Sequence, residues 1–129
     1  MTAEQAAAFA NDWIAAWNAH DIDRVVAHYS DDIELSSPVI VQVAGEPSGT
    51  LRGKQALRDY FAKALARLPD LRFELAHVFA GIDNVALCYR GPRGLVTEVY
   101  RFDPDGLAYA AAALYDIGPD KLANGATIR

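Results

Sequence analysis

Residues 13–38 read WIAAWNAHDIDRVVAHYSDDIELSSP, and the rest of the chain is best understood as built around this stretch. Trp13 and Trp17 lie one helical turn apart and continue an apolar face that begins upstream. Asp21 is placed to cap a short second helix. From Ile33 the apolar period changes from about 3.6 to about 2, which is typical of a strand. The stretch therefore predicts the end of one helix, a short second helix and the first strand of a cavity-forming domain.

Composition limits the class of protein and its partners. The chain has 129 residues, of which 52% are hydrophobic, enough for one domain with one sizeable core. Its net charge is −5 with no block of consecutive Lys or Arg, which argues against nucleic-acid and anionic-membrane partners. Cys88 is the only cysteine, no run approaches the roughly 18 apolar residues of a membrane span, and the N-terminus lacks signal-peptide features. We expect a cytoplasmic protein whose partners are small molecules or other proteins.

The other helices are predicted from their ends. Thr2 and Gln5 have the spacing of a capping box, so the first helix should begin beside them. A third helix is expected from about Lys54, and Pro69 ends it. Residues 39–53 mix a β-branched run with glycines and a proline. We interpret them as a strand continuation or flap followed by a loop.

The C-terminal half is expected to form an antiparallel meander. Turn signals separate alternating apolar runs and lie at residues 81–84, 91–94 and 103–106. The last run, residues 108–115, is rich in alanine and apolar on both sides, as in a central strand. The sequence thus predicts an α+β domain over residues 1–117, with a curved antiparallel sheet wrapped around three N-terminal helices, and a loosely ordered tail over residues 118–129.

Two ionisable residues fall in apolar rows of these strands. Alternation over residues 71–79 places His77 on the same face as Phe79, and alternation over residues 96–102 places Glu98 on the same face as Tyr100. A carboxyl group buried without a cation has a raised pKa. Glu98 would then donate a proton when protonated and act as a weak base when ionised.

The chain resembles the SnoaL-like group of the nuclear transport factor 2-like superfamily. The resemblance is carried by WNAHD at 17–21, DRVVAHY at 23–29, DDI at 31–33, SP at 37–38, LRGKQALRDYF at 51–61 and YRFDPDG at 100–106. It implies a cone-shaped α+β barrel with a deep apolar pocket, commonly dimeric through the outer face of the sheet. The superfamily includes ketosteroid isomerases, polyketide cyclases, dehydratases, epoxide hydrolases and proteins that only bind partners, so membership does not assign the chemistry.

Matching the isomerase residues one at a time shows what this chain lacks. The isomerase general base is an aspartate immediately before a proline, where this chain has Ser37, and an alcohol cannot replace a carboxylate as a base near neutral pH. Trp13 occupies the place of the tyrosine that stabilises the oxyanion; its indole N–H can still donate. Glu98 aligns with the protonated aspartic acid that is the second donor.

These patterns and the resemblance together name the candidate site. Glu98 is the candidate acid/base and His77 its candidate partner, whereas a structural carboxylate and a satisfied core histidine are the alternative interpretations. Trp13 and Tyr100 are expected to be orienting donors. The full set of candidate ligand-binding residues is Trp13, Trp17, Tyr29, Ser37, Tyr60, Phe61, Phe79, Tyr100 and Leu114. His20 and His28 lack a third ligand at sensible spacing, so no metal site and no cofactor is expected.

Two functions remain open at this point. The first is an enzyme with isomerase, cyclase or hydrolase chemistry that acts through Glu98 on a small apolar molecule, carbonyl-containing or polyketide-like. The second is a non-catalytic small-ligand-binding protein or dimeric interaction module. A homodimer is also expected, because Thr97, Val99, Tyr109, Ala111 and Ala113 are predicted to form a partly apolar outer face.

Overall fold

The computed structural model describes residues 1–123 and contains four α-helices in that range. The helices are α1 (Ala3–Asn18), α2 (Ile22–Val26), α3 (Pro38–Ala44) and α4 (Lys54–Arg67). The strands are β1 (Tyr29–Ser36), β2 (Thr50–Arg52), β3 (Glu74–Ala80), β4 (Asn84–Gly91), β5 (Gly94–Phe102) and β6 (Ala108–Tyr115), and a 3₁₀ turn follows at Pro119–Lys121. In this part of the chain no helix is both long enough and apolar enough to cross a membrane.

The strands form one six-stranded curved sheet in the order β2-β1-β6-β5-β4-β3. Strands β3 to β6 pair in sequence as antiparallel neighbours, which confirms the predicted meander. Strand β6 is central, between β5 and β1, and it pairs with β1 in parallel. The helices cover one face of this sheet, called here the inner face, and the core lies between them. The α+β fold predicted from the sequence is therefore confirmed.

The N-terminal helices begin where their caps predict. Thr2 and Gln5 form both hydrogen bonds of a capping box, at 3.0 and 2.8 Å, at the start of α1. The Asp21 side chain accepts a hydrogen bond from the backbone N–H of Arg24 at the start of α2. The apolar face of α1 then packs against the inner face of the sheet, and its Trp13 side chain is only 1% exposed.

The segment after β1 differs from the prediction, because it contains helix α3 instead of a strand or flap. The Ser37 hydroxyl caps this helix by accepting a hydrogen bond from the Val39 N–H at 3.1 Å. Pro38 occupies the first helical turn, where its missing N–H is not needed. Gly45 ends the helix in the left-handed conformation at φ 69°. These caps override the strand preference of the β-branched run. The prediction of three helices was therefore wrong, because residues 1–123 contain four.

A β-bulge in β3 reverses the predicted orientation of its second half. Leu75 pairs with Tyr89 but His77 pairs with Cys88, so one extra residue is inserted between the two pairs. Val78 then takes the inward position, and His77 and Phe79 face outward. His77 is exposed and Phe79 is 62% exposed. The prediction that these two residues line a pocket was therefore wrong.

A second bulge does the same in β6. Arg101 pairs with Ala110 and Phe102 with Ala108, which leaves Tyr109 as the extra residue. Beyond it Ala111 and Ala113 face inward, contrary to the prediction, and Leu114 faces outward with 51% exposure. Leu114 was therefore also wrongly placed in the pocket.

The predicted tail is covered only in part by the described residues. Residues 118–123 include the 3₁₀ turn Pro119–Lys121. Residues 124–129 lie outside the described part of the chain. A loosely ordered tail over residues 118–129 stays a prediction.

Candidate functional site

A cavity of about 90 Å³ lies between the inner face of the sheet and helices α1, α3 and α4. Most of its wall is apolar, and its exposed rim includes Pro92 and Arg93 in the turn between β4 and β5. Six of the predicted site residues line it: Trp13, Trp17, Ser37, Tyr60, Phe61 and Glu98. Tyr29 and Tyr100, each 1% exposed, are buried behind the wall. His77, Phe79 and Leu114 lie on the other side of the sheet.

Glu98 is the carboxyl group of this wall, and the sheet brings its hydrogen-bonding partners to it. Tyr100 lies two residues further along β5 and therefore on the same face, and its hydroxyl donates to Glu98 Oε1 at 2.9 Å. Tyr89 lies on the neighbouring strand β4, and its hydroxyl donates to Glu98 Oε2. On the other side Glu98 pairs with Ala113, whose small side chain leaves space for the cavity.

The hydrogen bond from Tyr100 to Glu98 is the end of a longer hydrogen-bond chain, which has a defined direction. Trp13 Nε1 donates to the Tyr29 hydroxyl at 3.1 Å, and an indole N–H can only donate. The Tyr100 proton is used on Glu98, so the 3.1 Å contact between the two phenols has Tyr29 as donor. In this hydrogen-bond chain each donor therefore points toward Glu98. The N–H of Trp13 is engaged in this chain and does not serve as the orienting donor that the sequence suggested.

Burial controls the protonation of this network. Burial raises the pKa of Glu98 above its ordinary value, and hydrogen bonds from Tyr89 and Tyr100 partly oppose the shift. Burial likewise raises the pKa of Tyr29, Tyr89 and Tyr100, which stay neutral donors near pH 7. Among the ion pairs of residues 1–123, none involves Glu98. Glu98 is thus a carboxyl group stabilised by phenols instead of by a cation.

The exposed Arg93 lies at the mouth of the cavity, and three hydroxyl groups line the cavity with it. They belong to Tyr60, Tyr115 and Ser37, of which Tyr60 and Ser37 are buried. Burial raises the pKa of the Tyr60 and Tyr115 phenols, while the Arg93 charge and hydrogen bonding with Ser37 act in the opposite direction. The described lining of the cavity therefore combines one cationic side chain and neutral hydroxyl groups with an apolar wall.

The two histidines considered as metal ligands have other partners. His20 Nε2 lies 2.8 Å from the carbonyl oxygen of Leu71, and His28 Nε2 lies 2.7 Å from Asp12 Oδ2. Over residues 1–123, no three His, Cys, Asp or Glu side chains are grouped so as to hold a metal ion.

Comparisons with known proteins identify the family to which this chain belongs. The model of the SnoaL-like domain matches residues 10–123. The chain belongs to the SnoaL-like family. A SnoaL-like protein of unknown function from Burkholderia thailandensis E264 is 50% identical to it, with a TM-score of 0.85 over 89% of this chain and 97% of the other.

More distant structures share the fold of this SnoaL-like protein. A SnoaL-like family protein from Agrobacterium tumefaciens strain C58 is 19% identical, with a TM-score of 0.71 over 88% of this chain and 98% of the other. Rv0760c from Mycobacterium tuberculosis, in complex with estradiol-17β-hemisuccinate, is also 19% identical, with a TM-score of 0.68 over 88% of this chain and 95% of the other.

Three residues with polar side chains that line the SnoaL-like cavity were absent from the sequence-based candidates. Tyr89 follows Val85 and Leu87 in strict alternation on β4, so the pattern that identified Glu98 could have found it. Tyr115 was missed because the bulge at Tyr109 reverses its strand. Arg93 lies in a turn, where no periodic pattern indicates which way a side chain points.

Proposed function

We propose that this SnoaL-like protein binds a small apolar, carbonyl-containing molecule in the cavity, and that Glu98 supplies acid/base chemistry of the isomerase, cyclase or hydrolase type. The observation that carries the proposal is the Glu98 carboxyl group in a largely apolar wall, hydrogen-bonded on both oxygens by neutral phenols. Such a group changes protonation more readily near neutral pH than an exposed carboxylate, because burial disfavours its charge.

The two protonation states of Glu98 suit two steps on a carbonyl compound. When protonated, the carboxyl group can donate a hydrogen bond to a carbonyl oxygen and stabilise negative charge that develops there. When ionised, it can remove a proton from the carbon beside the carbonyl. Tyr89 and Tyr100 hold the group in place in both states.

The size of the cavity limits the ligand. A volume of about 90 Å³ is smaller than the roughly 150 Å³ of an engineered apolar cavity that binds benzene. A ring-sized ligand therefore requires movement at the exposed rim near Pro92 and Arg93, or it extends out through the mouth. The bound estradiol derivative of Rv0760c supports the idea that this fold can accommodate an apolar ring system.

A Glu98→Gln variant tests the catalytic proposal. It keeps the shape of the side chain and removes the exchangeable carboxyl proton, so turnover should be lost while ligand affinity stays within a few-fold. Enones, epoxides and cyclisable polyketides form a suitable substrate panel. Glu74→Gln, an exposed carboxylate on β3, is the matched control. Unchanged turnover in Glu98→Gln would show that Glu98 has no catalytic role.

Ligand binding without catalysis is the second candidate function. Ser37 lies where the isomerases have their base and is used as the cap of α3. Among the described residues, Glu98 is also the only His, Asp, Glu or Lys side chain that lines the cavity. If this candidate is correct, the substrate panel will show binding without turnover, and Glu98→Gln will alter affinity or stability alone.

We also propose a homodimer through the outer face of the sheet. Adjacent strands place Phe79, Ala86, Val99 and Ala112 in one row across this face, with Leu114 beside it. Phe79 and Leu114 are 62% and 51% exposed, an apolar surface that a second copy would cover. Sedimentation at micromolar concentration should show a dimer, and Leu114→Lys should shift it toward monomer. A monomeric wild-type protein would rule the proposal out.

We propose that the protein is located in the cytoplasm. Cys88 is the single cysteine, so the fold needs no internal disulfide and is compatible with a reducing environment. Cell fractionation would measure the location directly.

A further inference from the structure

Arg93 is the only positively charged side chain among the described residues that line the cavity. It is exposed at the mouth, and none of the ion pairs of residues 1–123 involves it. The net charge of the whole chain is −5, so this cation is not part of a generally basic protein. A guanidinium group at the entrance of an apolar cavity can bind an anionic group of a ligand.

The turn between β4 and β5 fixes the place of Arg93 in the fold. Gly91 pairs with Gly94, so only Pro92 and Arg93 connect the two strands. The ring of Pro92 fixes its φ, and Gly94 has a φ of 94°, a conformation that favours glycine. The backbone of Arg93 is therefore held at the mouth by a short turn, and its long side chain is the part that can adjust to a ligand.

Two phenols accompany Arg93 in the lining of the cavity. Tyr60 and Tyr115 both lie close enough to the Arg93 charge for it to oppose the rise in pKa that burial causes. The rise prevails, so both phenols stay neutral near pH 7 and keep their O–H groups. A phenol O–H can donate a hydrogen bond to a carboxylate oxygen. One cation and two hydrogen-bond donors are thus available to the same anion.

The rest of the cavity restricts the kind and the position of that anion. Arg93 supplies one positive charge, which matches a carboxylate and not a doubly charged phosphate ester. Further inside, the wall is mostly apolar and Glu98 is itself a carboxyl group, so a second carboxylate is disfavoured there. The carboxylate of a ligand should therefore stay at the mouth, while the apolar part of the molecule enters the cavity.

We propose that Arg93 binds a carboxylate of the ligand at the cavity mouth, and that the ligand is an oxo acid whose carbonyl group lies near Glu98. The proposal rests on the proposed function, since it concerns the same cavity, and it names the class of ligand. Arg93 precedes Glu98 by five residues, so their Cα atoms are at most about 18 Å apart. The long Arg93 side chain can fold back over the mouth, so one small molecule can reach both residues.

The probes for this proposal are 7-oxooctanoate and 7-oxooctanamide. They have the same length and the same ketone, and at pH 7 only the acid carries a charge. In calorimetric titrations at low salt the wild-type protein should bind the acid about fivefold more tightly, near the upper end for an exposed ion pair. The affinity ratio should fall toward one in about 1 M sodium chloride, because salt screens the pair.

Arg93→Gln should bring the affinity ratio close to one and leave the affinity for the amide within about twofold of wild type. Arg93 is exposed and none of the ion pairs of residues 1–123 involves it, so the substitution should not prevent folding. Arg90→Gln is the matched control. Arg90 is also exposed and is absent from those ion pairs, but it does not line the cavity. This variant loses the same charge and should keep most of the preference for the acid.

The possible failures are distinguishable. If neither probe binds the wild-type protein, both the proposed function and this inference are contradicted. If the amide binds and the acid binds no more tightly, the cavity accepts a carbonyl compound but Arg93 does not bind a carboxylate. If Arg93→Gln keeps the preference for the acid, or Arg90→Gln loses it to the same extent, another group or the net charge causes the preference and the inference is overturned. Loss of the preference in Arg93→Gln alone would support it.

Discussion

Replacing Glu98 with glutamine should change how the stability of the domain depends on pH. Burial raises the pKa of Glu98 in the folded protein above its ordinary value of 4.5, so the folded state keeps this proton at pH values where the unfolded state has lost it. In that window the wild-type free energy of unfolding falls as pH rises, by up to about 1.4 kcal/mol per pH unit. The effect begins near pH 4.5 and ends once Glu98 ionises in the folded state.

The structure also predicts the orientation of the side-chain amide in the Glu98→Gln variant. The Tyr100 proton is committed to the Oε1 position, because Tyr29 and Trp13 fix the direction of that chain. The amide oxygen should therefore face Tyr100 and the amide nitrogen Tyr89. Tyr89 then loses an acceptor and must turn its O–H toward the cavity, at a cost of about 1 kcal/mol that does not vary with pH.

Urea unfolding between pH 4 and 8 at fixed protein concentration measures this prediction. The stability of wild type minus that of Glu98→Gln should be largest near pH 4.5 and fall toward a plateau as pH rises. Other titrating groups cancel in the difference, and Glu74→Gln measures the effect of net charge alone. A difference that stays flat, or rises with pH, would mean that the folded protein does not favour the protonated carboxyl, and the electrostatic argument would be refuted.

Substitutions at three further positions test other parts of the structure. Tyr29→Phe should destabilise the protein by about 1–3 kcal/mol in urea unfolding, because Trp13 Nε1 loses its buried acceptor; an effect below measurement would argue against the hydrogen-bond chain. Ser37→Ala should cost about 1 kcal/mol by removing the cap of α3, and Ser37→Thr should keep most of that stability; equal effects of the two would exclude capping. The hydrogen bond from Arg24, together with His28, holds the pKa of Asp12 below its ordinary value of 3.8, so its contribution exists above that pH and is lost in acid. Asp12→Asn should therefore cost less than about 1 kcal/mol at neutral pH and nothing near pH 2, as thermal unfolding at the two pH values can check.

Local signals predicted those parts of the molecule that depend on neighbouring residues in the chain. The Thr2–Gln5 box and the Asp21 cap form as expected, because capping involves residues at most three positions apart. Glu98 and Tyr100 face the core as alternation predicts, because their part of β5 contains no bulge.

The errors share a physical cause. An extra residue in a strand reverses every later side chain, and neither bulge leaves a glycine or proline signal in the sequence around Ala76 or Tyr109. Helix α3 was missed because its caps, Ser37 and Gly45, outweigh a β-branched run that favours strands. The position of Arg93 in the cavity lining depends on tertiary structure, which a single sequence does not show.

The fixed direction of the hydrogen-bond chain has a consequence for isotope exchange. The chain ends at the Trp13 indole, which cannot accept a proton, so it offers Glu98 no relay through the protein to bulk water. The cavity mouth is then the route by which deuterium reaches the carboxyl group. A ligand that fills the mouth would isolate Glu98 from solvent, and a hydrogen taken from one carbon of that ligand would be returned to another carbon of the same molecule. If Glu98 catalyses an isomerisation as proposed, the substrate should therefore keep its label and not exchange it with solvent.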